Sequence, residues 1–218
     1  MNLRDFFSHD WFTISLILIF ISFVLLKYIN IVKFNLFVKF AYSNDYFKLK
    51  DKESRYFTTF DNLVIILAHL TAAQFVYFMI RDLNYLEIIN IYPFFQVFII
   101  FFLLLLLSFL KYQVEKFVNK CMTNSSFLSY YQFYKQIIWS YSILLGLPFL
   151  IFVIYNPSGS TSIVYVSLVL MAFFYSLKTL ILIYKNRSLL IRNWYYFILY
   201  LCALEIAPYF FLYKILGV

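Results

Sequence analysis

Six apolar runs of about 20 residues each set what this chain can fold into. They lie at about 11–29, 62–80, 91–110, 137–155, 162–184 and 194–212. A helix of about 20 residues crosses roughly 30 Å of hydrocarbon. In lipid a segment must satisfy its own backbone N–H and C=O groups, so such runs become helices. Strands of an outer-membrane barrel would instead alternate apolar and polar residues over roughly 10 positions. Hydrophobic residues make up 64% of the 218 and charged residues 13%. That is too little polar surface to cover a water-facing fold. The expectation is an all-α polytopic membrane bundle of six helices, one domain over residues 1–218. Soluble enzymes, disordered proteins and nucleic-acid-binding domains are excluded.

The basic residues then orient the spans. Of 18 Lys and Arg, 14 fall in three segments. Segment 27–60 holds Lys27, Lys33, Lys39, Lys48, Lys50, Lys52 and Arg55. Segment 111–136 holds Lys111, Lys116, Lys120 and Lys135, and segment 185–193 holds Lys185, Arg187 and Arg192. The opposite side has Arg4, Arg81 and Lys214, and Lys178 falls inside the fifth run. The positive-inside rule places the three rich segments in the cytoplasm and both termini outside. The net charge of +8 is therefore a topology signal and not a patch for nucleic acid. The outside connections, 81–90 and 156–161, are too short to form a domain for a large ligand. The first run reads as an anchor and not a cleaved leader. Asp5 and Asp10 accompany Arg4 before it, and Lys27-Tyr28 follow in place of small residues.

Local signals refine the layout. Asp61 and Asn62 are placed to cap the second span after Thr58-Thr59. Pro93 suits the first turn of the third. Segment 111–122 continues that helix past the membrane, and Asn124-Ser125-Ser126 breaks it and caps a long fourth helix. Gly146 and Pro148 mark a kink or a close approach in span four. Asn156-Pro157-Ser158-Gly159 is a turn. Segment 30–43 either extends span one or lies on the membrane as an amphipathic helix. Tyr28, Tyr155, Tyr184, Tyr195, Tyr196 and Tyr213 fit an interfacial belt. The two halves share no motif, which argues against an inverted repeat.

Polar residues inside the spans are costly in lipid and are the candidate site. Glu205 sits mid-span in Leu204-Glu205-Ile206-Ala207-Pro208, where Pro208 should kink the helix. It reads either as an ion, proton or polar-substrate site or as a protonated carboxyl holding a neighbouring helix. His69, with Thr71 and Gln74 nearby, reads either as a relay partner of Glu205 or as a neutral histidine bonded to a backbone carbonyl. Lys178 either snorkels to the interface or pairs with Glu205 or His69. Gln96 reads as a helix–helix hydrogen bond. There is no HExxH, no G-x-S-x-G and no Gly-rich phosphate loop. Cys121 and Cys202 have no metal spacing. No metal, catalytic residue or cofactor is expected.

The run Phe197-Ile198-Leu199-Tyr200-Leu201-Cys202-Ala203-Leu204-Glu205-Ile206-Ala207-Pro208, ending in Leu212-Tyr213-Lys214, resembles the signature of a domain of unknown function found in Bacteroidota. The block Phe127 to Gln136 and the stretch Tyr46-Phe47-Lys48-Leu49 are also similar, so the resemblance covers nearly the whole chain. Only the C-terminal run is specific. The resemblance implies a small polytopic protein of the bacterial inner membrane with no assigned activity, and it transfers no functional residue.

Three roles follow from these features. The first is a non-enzymatic accessory or scaffold subunit of an envelope complex, such as one in protein secretion or export. Its partners are the bilayer and another membrane protein. The second is a small transporter or proton-coupled permease using Glu205, His69 and Lys178. The third is an intramembrane enzyme acting on lipid. The topology is directly testable. Alkaline phosphatase fused after Val218 should be active, and fused after Lys120 inactive. The opposite pattern would refute the charge argument.

Overall fold

The computed structural model describes residues 3–43, 45–50, 58–82, 92–121, 125–156 and 160–185. Every regular element among them is helical: α1 (Leu3–Ile29), α2 (Ile31–Val38), a 3₁₀ turn (Lys39–Ala41), α3 (Asp45–Lys50), α4 (Thr59–Asp82), α5 (Pro93–Cys121), α6 (Ser125–Leu144), α7 (Leu147–Tyr155) and α8 (Ser160–Lys185). Five stretches are long and apolar enough to cross a membrane: Trp11–Ile29, Thr59–Arg81, Pro93–Lys116, Tyr131–Tyr155 and Ser162–Tyr184. The chain is a multi-pass membrane protein. The sixth run, with Glu205 and Pro208, lies outside the described residues.

Breaks between helices follow from individual residues. Asn30 has an extended backbone, and its side-chain oxygen accepts from the Lys33 N–H at 2.9 Å. That cap ends the continuity of α1 and starts α2 as a separate helix. Segment 30–43 is thus no simple extension of span one. It buries Lys33, Phe37 and Phe40 and turns Ile31, Val32 and Val38 outward. α4 begins earlier than its apolar run. Thr58 occupies the cap position, with its carbonyl accepting from the Asn62 N–H at 3.0 Å. Asp61 stands three residues on, and its carboxylate accepts from the Thr58 N–H at 2.9 Å. Asp61 therefore acts as the reciprocal partner of the cap, while Thr58 is the cap itself.

α4 and the α6–α7 pair form the centre. In each, 61% of the span is buried, against 11% in α5 and 22% in α8. α4 packs on both α5 and α6, and α8 packs on α6 and α7. α1 packs against α2 and α4. At the Lys-rich end, α2 and α3 fold against the start of α4 and the middle and last turn of α6. There Phe37 and Phe40 meet the Tyr141 ring at 5.1 and 5.0 Å, and Phe47 stacks on Tyr134 at 3.8 Å. Aromatic contacts of this kind add about 0.5–1.5 kcal/mol each beyond area burial.

The kink in span four is a turn at Leu145–Gly146, followed by α7 with Pro148 in its first turn. Proline fits there because first-turn N–H groups have no intrahelical acceptor. Gly146 is required by packing. A Cβ at that position would lie 2.1 Å from Met171 Cε, 2.9 Å from Phe75 Cε2 and 3.0 Å from the Ile143 carbonyl oxygen. Met171 is flexible, but the Phe75 ring and the backbone oxygen are not free to retreat. Gly146→Ala should therefore destabilise the bundle by about 1–3 kcal/mol. Thermal unfolding in detergent checks this, and an unchanged midpoint would refute it.

Candidate functional site

The described helices line an open-sided cavity of about 630 Å³ between α4, α5, α6 and α8. Each wall comes from residues spaced to share one helix face. α4 supplies Asn62, Ile65 and His69; α5 supplies Leu104, Ser108, Lys111, Tyr112 and Glu115. α6 supplies Gln132, Lys135, Gln136 and Trp139, and α8 supplies Tyr175. The polar residues on α5 and α6 repeat at i, i+3, i+4 and i+7.

The cavity has two tiers. Deeper in the bundle, the His69 ring is fixed on both sides. Its Nδ1 lies 2.8 Å from the Ile65 carbonyl oxygen, and its Nε2 lies 2.5 Å from Ser108 Oγ. A carbonyl only accepts, so Nδ1 carries a proton and donates. In the neutral ring, Nε2 then accepts from the Ser108 hydroxyl. The ring also rests against Trp139, with centroids 4.8 Å apart. The second tier, toward the Lys-rich end, gathers Lys111, Glu115 and Lys135. Lys135 feels the charges of both Lys111 and Glu115, and Glu115 is itself buried. Seven residues separate Ser108 from Glu115, a rise of roughly 10 Å. His69 and Glu115 are thus held apart and form no histidine–carboxylate dyad.

Of the intramembrane residues singled out by sequence, His69 and Lys178 fall among the described residues, and the contacts given for them differ. His69 faces this cavity. Lys178 does not: its Nζ donates to the Phe40 carbonyl oxygen at 2.8 Å and lies 4.8 Å from the centre of the Phe40 ring. The segment after α1 folds back and brings this carbonyl to it; pairing with Glu205 lies outside the described residues. Pro148 belongs to the α6–α7 turn, away from the cavity lining. Glu205 and Pro208 fall outside the described residues. Of the other intramembrane polar groups, Gln74 Nε2 donates to Ser15 Oγ at 2.7 Å, tying α4 to α1. Thr71 Oγ1 donates back to the Leu67 carbonyl within α4. Among the described residues no three His, Cys, Asp or Glu side chains gather as a metal site would need.

Reading Lys111 and Lys135 as topology charges alone hides the second tier. The signal that finds it is the helical spacing of Ser108-Lys111-Tyr112-Glu115 and of Gln132-Lys135-Gln136-Trp139. Interhelical hydrogen bonds in membranes average about 0.6 kcal/mol. Ser108→Ala should cost that order, and a cycle with His69→Phe should show coupling of about 0.6 kcal/mol. Additive losses would show that the 2.5 Å contact carries no energy.

Residues 12–216 match a family described as a domain of unknown function (DUF4271). No curated protein and no solved structure matches the chain.

Proposed function

Because the chain belongs to that family of unknown function, we propose its role from its own side chains: a non-enzymatic accessory or scaffold subunit of an inner-membrane envelope complex. The observation that supports this reading is what several polar side chains within the described spans do. His69 links α4 to α5, Gln74 links α4 to α1, and Lys178 links α8 to the turn after α2. Thr13 and Tyr155 join α1 to α7 at 3.1 Å. A catalyst or a carrier needs such groups aimed at a substrate. Here they brace helices against one another, as a rigid scaffold requires. The outward faces of α5 and α8 carry large apolar side chains, including Phe95, Phe102, Phe109, Val169 and Phe173. They suit lipid and membrane-protein neighbours alike. In this reading the three basic segments face the cytoplasm, and the complex serves export or secretion.

The test is purification of the tagged full chain from its native membranes in mild detergent, followed by mass spectrometry. The expected result is one or a few membrane proteins recovered in fixed ratio. Recovery of the chain alone, with its own fold intact, would overturn the proposal.

A further inference from the structure

The two-tier cavity holds a chemical asymmetry that helix bracing does not explain. Its end near the Lys-rich segments carries two ammonium groups, Lys111 and Lys135, against one carboxylate, Glu115. Among the described lining residues the excess is one positive charge. Three amide side chains, Asn62, Gln132 and Gln136, stand around it and add neutral donors. The other part of the wall, around the His69–Ser108 pair, is mostly apolar, with Leu104, Leu105, Leu107 and Phe109. Leu104 lies about 17 Å of helix rise from Glu115. Leu107 and Phe109 are also exposed, so the apolar wall continues onto the outer face of α5 among the described residues. A volume of about 630 Å³ is within the usual range of ligand sites.

We infer that this cavity binds an amphiphile with an anionic headgroup, the headgroup held by Lys111 and Lys135 and the acyl chain laid along Leu104, Leu105 and Leu107. The physical reason is a match of tiers. A phosphate or carboxylate gains charge-assisted hydrogen bonds from the exposed Lys111 and the half-buried Lys135, and the second, partly withdrawn from water, gives the stronger contact. Basic pockets between membrane helices, at the level of lipid headgroups, favour such groups. A fully polar solute would leave the leucine wall unsatisfied, and a neutral apolar one would desolvate Lys111 and Lys135 without return. Among the described lining residues Glu115 offsets one of the two lysines, which favours a headgroup with a single negative charge. Phospholipid and free fatty acid share this chemistry. The inference stands independently of the accessory-subunit reading, since a scaffold and a carrier could both hold a lipid.

The experiment uses the purified full chain in mild detergent. It is offered phosphatidylglycerol, oleate or phosphatidylcholine, and retained lipid is counted by native mass spectrometry. Phosphatidylglycerol or oleate should be retained about tenfold or more over phosphatidylcholine, as expected for one charge-assisted contact set. Preference for the first identifies a phosphate headgroup, and for the second a carboxylate. The double variant Lys111→Gln/Lys135→Gln should lose that preference, while Lys116→Gln, one residue from Glu115 and outside the lining, should keep it. Leu104→Trp should lower retention with both lysines intact, by filling the apolar tier. Equal retention of all three lipids overturns the inference, as does a double variant indistinguishable from Lys116→Gln. If the double variant does not fold, Leu104→Trp decides: undiminished retention overturns the inference.

Discussion

The buried carboxylate of Asp61 holds the Lys-rich end of this protein together. It is fully buried, and it accepts from the Thr58 N–H, from the Thr58 hydroxyl at 2.7 Å and from the Tyr46 hydroxyl. Lys33 Nζ reaches the same Thr58 hydroxyl oxygen at 3.3 Å. A buried carboxylate is strongly unfavourable unless hydrogen bonds and charge compensate it. Here the compensation comes from three separate pieces of chain. α2 sends Lys33, α3 sends Tyr46, and the start of α4 sends Thr58. Among the described contacts, Thr58 and Tyr46 donate to the carboxylate directly and Lys33 stands behind Thr58.

The rest of that end follows from it. α3 has six residues, far too few to persist as an isolated helix. Tyr46 fixes it, and its neighbour Phe47 then stacks on Tyr134 of α6. Tyr134 in turn donates its hydroxyl to the Phe47 carbonyl oxygen at 3.2 Å. Phe37 and Phe40 close around Tyr141, which sets the position of the Phe40 carbonyl. Lys178 of α8 binds that carbonyl. A lysine deep in a span is thereby held by the chain that follows α1, some 138 residues away in sequence. The same arrangement leaves the other side of α4 to meet α5 through His69 and Ser108 and to leave the cavity beside them.

Much of this layout is legible in the sequence because some residues act locally. Pro93 opens α5, and the continuation through 111–121 follows from unbroken helix-forming residues. Ser125 opens α6, and Gly146 with Pro148 interrupts span four where steric and hydrogen-bond arguments place the break. Other features are not legible for a physical reason. Asp61 looks like a helix cap from its neighbours, and only the arrival of Tyr46 makes it a hub. Lys178 looks like a snorkelling residue from its depth, because no periodicity tells which carbonyl will reach it. Lys111 and Lys135 look like topology charges, because each helix face is visible in sequence but the pairing of faces is not.

The sequence by itself determined that this chain forms apolar helices crossing a membrane. The reason is local and unavoidable: in hydrocarbon the backbone must satisfy itself, and 20-residue apolar runs have one way to do so. Only the tertiary structure decided which polar side chains meet. Helices in lipid associate through packing and a few hydrogen bonds, with little hydrophobic drive to fix their rotation. Where each helix turns its polar face therefore depends on contacts such as Asp61 with Tyr46 and Gly146 against Phe75, between residues on different helices or the turns joining them.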